Sequence, residues 1–174
     1  MNSLKKLIPV VVVTAIVVFY ITGFNRKSTA DLKDQAFDYS FSVKNMDGQV
    51  VPFDTYKGKV VFLNLWATWC GPCRKEMPGI QKLYDKTKSE DVVFVMLSRD
   101  DDREEAKVKN YIKRNNFSFP VAMLSGNITS QLNVPSIPTT FIINKEGKIV
   151  HHIVGSTNYN TEKDRKMLQE FAAE

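Results

Sequence analysis

The segment Val60–Trp66 (VVFLNLW) carries large apolar side chains at both alternating positions of an extended strand. Successive strand residues point to opposite faces, so such a run belongs in the middle of a sheet covered on both sides. Val92–Ser98 and Thr139–Asn144 are built the same way. Between the first two, Cys73, Met77, Ile80, Tyr84 and Thr87 recur at helical spacing, which predicts a helix ending near Lys88 and kinked at Pro78. After the second, the acids Asp100–Asp102, Glu104 and Glu105 precede Lys107, Lys109, Lys113 and Arg114, the order that a helix dipole favours. Val108, Tyr111 and Ile112 supply that helix with an inner face. The charge run itself reads as a solvated helix face and needs no docking role.

Turn signals mark the remaining elements. Phe37–Lys44 alternates apolar and polar residues as a half-buried strand, and Asp47-Gly48 turns it back onto Gln49–Phe53. Lys145–Lys148 turns Thr139–Asn144 onto Ile149–Val154, and Thr161–Ala173 closes the chain as an amphipathic helix. The order predicts an α/β fold with a central mixed β-sheet flanked by helices.

The first thirty residues stand apart. They hold no acid and four cations, Lys5, Lys6, Arg26 and Lys27, around an uncharged run of eighteen residues, Leu7–Phe24. Eighteen helical residues span about 27 Å, close to the hydrocarbon thickness of a bilayer. This predicts an N-terminal transmembrane helix and tether over residues 1–30, followed by one domain over residues 31–174. A retained single-pass anchor fits the length of the run and the cations beyond it, and a six-residue N-terminal tail, easiest to leave inside, places the domain outside the cytoplasm. Ser28-Thr29-Ala30 offers the alternative of cleavage after Ala30 and a soluble extracytoplasmic domain. The net charge of +5 is thereby located: beyond Ala30 there remain 20 cations and 19 anions, and no basic surface suggests a nucleic-acid partner.

Both cysteines of the chain lie in Trp69-Cys70-Gly71-Pro72-Cys73, directly after a buried strand and at a helix start. Unpaired N–H groups and a partial positive charge at that end favour a thiolate. The spacing predicts an exposed attacking thiolate at Cys70 and a more buried resolving thiol at Cys73, with Pro72 stiffening the loop. Zinc would need two further ligands. The only histidines, His151 and His152, are adjacent on a strand and face opposite ways, so at most one can join. A purely structural disulfide is a poor reading too, because so short a loop restricts the unfolded chain little.

The stretch Asn64–Pro78 resembles the active-site segment of the thioredoxin superfamily, and within it the TlpA/ResA-like branch of membrane-anchored extracytoplasmic thiol–disulfide oxidoreductases. The resemblance covers about residues 35–174. It extends to Val134-Pro135-Ser136-Ile137-Pro138-Thr139-Thr140-Phe141, which is similar to the family's loop with a cis proline. It implies a thioredoxin-like fold, a cis bond between Ile137 and Pro138, and a substrate seat formed by these two residues with Trp66, Trp69, Gly71 and Pro72. Thioredoxins carry a buried aspartate where this chain has Asn64, which cannot titrate. The branch instead places a glutamate three residues after the second cysteine, here Glu76, with a proposed proton-relay role. From spacing alone, Glu76 is equally a solvent-facing acid in a helix's first turn.

The function so implied is reduction of protein disulfides by dithiol–disulfide exchange at Cys70 and Cys73, with no cofactor beyond the cysteines. Oxidised proteins such as apocytochromes awaiting haem are the implied substrates, and a membrane thiol–disulfide donor supplies the electrons. Two other readings compete: a thiol peroxidase on the same fold, and a membrane-tethered binding or chaperone-like module whose thiols are incidental.

Overall fold

A computed structural model describes residues 32–174. The predicted membrane segment and the site after Ala30 lie outside the described residues. Among the described residues, no helix is long and apolar enough to cross a membrane.

Seven strands form one mixed sheet: β1 (Ser42–Asn45), β2 (Val50–Pro52), β3 (Val60–Trp66), β4 (Val92–Ser98), β5 (Val121–Ser125), β6 (Thr139–Ile143) and β7 (Ile149–Val154). Their order is β2-β1-β5-β4-β3-β6-β7, with β3, β4 and β5 mutually parallel and the other pairings antiparallel. The helices are α1 (Gly71–Thr87), α2 (Glu105–Arg114) and α3 (Glu162–Ala173). β3 is central and wholly buried, as its doubly apolar sequence requires.

All three helices lie on one face of the sheet. Val60, Phe62 and Trp66 of β3 pack with Met77, Ile80 and Leu83 of α1, Val108 of α2 and Leu168 of α3. The crossovers β3–α1–β4 and β4–α2–β5 step in the same direction, and right-handed connections then put both helices on the same side. The other face, with Val61, Leu63 and Leu65, is covered without a helix. Phe37, Tyr39, Phe41, Phe53 and Leu132 do this, drawn from the chain before β1 and from the short 3-10 turns Phe53–Tyr56 and Ser130–Leu132. The expected mixed sheet with flanking helices is present, and all the helices lie on one side of it.

Two differences concern strands. Of Phe37–Lys44, only the end pairs as a strand. The alternation at Phe37, Tyr39 and Phe41 instead reflects aromatic rings laid onto the sheet, where Phe41 stacks on Phe53 with ring centroids 4.4 Å apart. β5 had no sequence signal strong enough to single it out, being five residues without a β-branched run; it exists because β1 and β4 pair with it from either side. The β1–β2 and β6–β7 hairpins and the three helices fall where the sequence places them. α1 runs continuously through Pro78.

Candidate active site

The cysteines sit where β3 ends and α1 begins. Cys70 is the N-cap of α1, its backbone extended at φ −83° and ψ 105°, and its sulfur accepts from the Cys73 N–H at 3.2 Å. Pro72 falls in the first turn, where a missing N–H costs no intrahelical bond. The two sulfurs are joined in a disulfide. Cys73 is fully buried and Cys70 only 6% exposed, so in this oxidised form Cys70 is not the open thiol that its position at a helix start suggested. Part of its cover is the loop before β6. The Ile137–Pro138 bond is cis, and the Ile137 carbonyl oxygen lies 3.8 Å from Cys70 Sγ.

Trp66 and Trp69 have separated roles. Trp66 is wholly buried, with its ring 5.7 Å from that of Tyr111, so it supports the cysteine segment from beneath and offers no surface to a substrate. Trp69 is 61% exposed and lines a groove of about 400 Å³ with Arg99, Val134, Pro135, Ser136 and Ile137. A larger hollow, lined by His151 and residues of α3, includes no part of the cysteine segment. The histidines point to opposite faces as expected: His152 stacks on Phe141 at 4.8 Å, whereas His151 faces α3, where burial lowers its pKa.

Glu76 is buried, not solvent-facing, at 4% exposure one turn after Cys73 on α1. Asn64 Nδ2 donates to its Oε1 at 2.9 Å, and the Thr157 N–H donates to its Oε2 at 3.1 Å. Burial pushes the carboxyl above its ordinary range, opposed by the bonds from Asn64, Thr157 and the Ser156 side chain. Asn64 Nδ2 also donates to Thr140 Oγ1 at 2.9 Å, which accepts from the buried Tyr159 hydroxyl at 2.7 Å. Burial drives the Tyr159 phenol well up, so it remains a neutral donor.

A second buried carboxylate braces the loop that carries the cysteines. Asp100 accepts from the Thr68 N–H at 2.8 Å, from the Thr68 hydroxyl and from the Ser98 hydroxyl at 2.7 Å. Sequence reasoning found neither this brace nor the chain through Thr140, Thr157 and Tyr159. Thr68 and Asp100 lie 32 residues apart, Asn64 and Thr140 76, and Glu76 and Thr157 81, and no local pattern connects them.

Chemically this is the site of a thiol–disulfide oxidoreductase: a vicinal pair at a helix start, one sulfur deeper than the other, with a buried carboxyl one turn further in. The protein-family model described as Redoxin matches residues 31–168. A thiol–disulfide oxidoreductase ResA from a strain of Bacillus cereus is 43% identical over 67% of this chain, and the match spans 66% of that protein, a little under two thirds of its length. A thiol–disulfide oxidoreductase ResA from Bacillus thuringiensis subsp. konkukian is 38% identical over 76% of this chain and 72% of its own. Among solved structures, StoA from Bacillus subtilis superposes with a TM-score of 0.58 at 28% identity, covering 75% of this chain and 94% of StoA. A thiol:disulfide interchange protein of the thioredoxin family from Chlorobium tepidum TLS gives a TM-score of 0.66 at 28% identity, over 82% of this chain and 99% of its own.

Proposed function

The chain belongs to the Redoxin family, with the site of a thiol–disulfide oxidoreductase, and on that premise we propose that it reduces the disulfides of extracytoplasmic proteins. The observation that carries this reading is the Cys70–Cys73 disulfide at the start of α1 with Glu76 buried behind it. In the reduced protein, the Cys70 thiolate attacks one sulfur of the substrate disulfide. A mixed disulfide forms, and the other substrate sulfur leaves as a thiolate that takes up a proton. The Cys73 thiol then passes its proton to the Glu76 carboxylate, and the Cys73 thiolate attacks Cys70 Sγ. The substrate leaves with both of its sulfurs reduced, and the Cys70–Cys73 disulfide is closed. Exposed Trp69, with Gly71, Pro72, Ile137 and Pro138, forms the seat of the substrate.

The uncharged run Leu7–Phe24 supports a membrane-anchored protein of the bacterial cytoplasmic membrane with its domain on the outer side. In an oxidising compartment, reduction is the activity that needs a dedicated enzyme, and a membrane thiol–disulfide donor would return the electrons. Apocytochromes awaiting haem are the proposed substrates, on the resemblance to the ResA branch.

The reduction potential of the Cys70–Cys73 pair tests the direction. A value near that of thioredoxin, about −270 mV, supports a reductase; one near about −120 mV makes the protein an oxidase and overturns the proposal.

A further inference from the structure

Arg99 lies immediately beyond β4 and, among the described residues, is the only charged one lining the groove with Trp69, Val134, Pro135, Ser136 and Ile137. Ile137 is also the residue whose carbonyl abuts Cys70 Sγ, so a chain with a sulfur at Cys70 has its neighbouring residues in this groove. Arg99 is half-buried and held in place. Its Nη1 donates to the Leu132 carbonyl at 3.0 Å, and its backbone N–H to the Trp66 carbonyl at 2.7 Å.

The acids that follow it in sequence do not neutralise it. Asp100 turns its oxygens to Thr68 and Ser98, Asp101 binds Arg103 at 2.8 Å, and the charge of Asp102 acts on Lys44. Among the described residues, no carboxylate forms an ion pair with Arg99. A guanidinium carries five N–H donors in a planar fork, and Leu132 takes one. An uncompensated cation beside apolar walls is only partly screened by water, and its fork matches a carboxylate.

We propose that the protein substrate presents an acidic residue next to the cysteine that Cys70 attacks, and that Arg99 binds its carboxylate. The inference rests on the reductase reading and narrows it to a class of substrate. A basic residue at the same place would meet repulsion, so Arg99 both attracts one set of sequences and rejects another.

The test uses three disulfide-linked peptides that differ only in Glu, Gln or Lys beside the cysteine, reduced by the protein with dithiothreitol as electron source, each rate taken above that of dithiothreitol alone. The expected kcat/KM for the Glu peptide exceeds that for the Lys peptide by about tenfold at low ionic strength, and the ratio shrinks in high salt. Arg99→Gln brings the ratio to within about twofold, and Arg99→Lys, which keeps the charge, retains part of it. The ratio is internal to each preparation, so a partly unfolded variant lowers both rates without producing this result. A wild-type ratio near one, or an unchanged ratio in Arg99→Gln, overturns the inference while the reductase reading stands. If none of the three peptides is reduced faster than by dithiothreitol alone, the reductase reading falls, and the inference with it.

Discussion

Asn64 Nδ2 donates to Glu76 Oε1 at 2.9 Å, so the strand leading into the cysteine segment also steadies the buried carboxyl behind it. The same nitrogen donates to Thr140, and Tyr159 completes the chain. Residues of β3, α1, β6 and the loop before α3 thus converge on one buried carboxyl. The Asn64 amide cannot titrate, so Glu76 is the acidic group of this cluster, its pKa raised by burial. Asn64 Oδ1 has no hydrogen-bond partner among the described residues, so an amide turned over would accept from a protonated Glu76.

Glu76→Gln keeps the hydrogen-bonding shape but cannot exchange a proton. Resolution of a trapped mixed disulfide by Cys73 is expected to slow by about a hundredfold near neutral pH, the usual size of a general acid–base contribution. Alkylation of the reduced cysteines across pH should also lose the inflection that belongs to Glu76. A profile identical to wild type would reduce Glu76 to a structural residue.

Asn64→Asp places a second carboxyl within hydrogen-bond distance of the first. Two such groups resist ionising together, so one proton is held to higher pH than in the wild type. The pH at which resolution reaches half its maximal rate should therefore move upward. Movement downward, or none, would mean that Asn64 does not govern the ionisation of Glu76.

Glu76 also sets the sign of a stability change. Burial raises its pKa in the folded protein above the unfolded value near 4.5, so the folded state holds this proton more tightly. Its contribution is fully present below the unfolded pKa and is lost as pH rises through the folded one. Urea midpoints of the oxidised wild type, relative to Glu76→Gln, should fall as pH is raised through that window. A difference that does not vary with pH contradicts the shift.

How much of this the sequence carried depended on how local each relationship is. β3, α1 and the β6–β7 hairpin are written in runs of a few residues, by doubly apolar strands, helical spacing and turn residues. Cys70 and Cys73 were legible for the same reason. Burial of Glu76 was not, because i, i+3 spacing fixes its place on α1 but not what α1 packs against. Thr157 and Tyr159 reach the site only after the chain has turned back past β7, more than eighty residues beyond Glu76. β5 was missed because it pairs well and reads poorly. The aromatic alternation before β1 misled for the opposite reason, since a period of two describes any extended chain laid on a flat surface.

Asp100→Ala removes the acceptor for the Thr68 N–H, the Thr68 hydroxyl and the Ser98 hydroxyl together. Leaving these buried donors unpaired should cost about 3 kcal/mol, measured by urea denaturation. Asp100→Asn, which keeps one oxygen, should cost less. Equal and small losses in both variants would show that the loop holds its position without this brace.

Tyr159→Phe deletes one buried hydroxyl and leaves Thr140 still bonded to Asn64. The expected loss is about 1 kcal/mol. Thr140→Val preserves the shape but strips the acceptor from Asn64 and Tyr159 at once, and should lose more. The reverse order in urea melts would mean that the Tyr159 hydroxyl, and not Thr140, is the anchor of the chain.

The chain before β1 has a directional consequence. Asp34 and Phe37 donate to the carbonyls of Ile149 and Gly147, at the turn between β6 and β7. The register sets Thr139 opposite Leu65 and Ile143 opposite Val61, so that turn lies at the far pole of the sheet from Cys70. Seven residues of β3 separate the two poles, about 20 Å at a strand's rise per residue. Residues 34–37 are therefore pinned to the back of the domain, behind the cysteines. The cysteine segment and the groove beside it occupy the opposite pole, where this brace covers nothing.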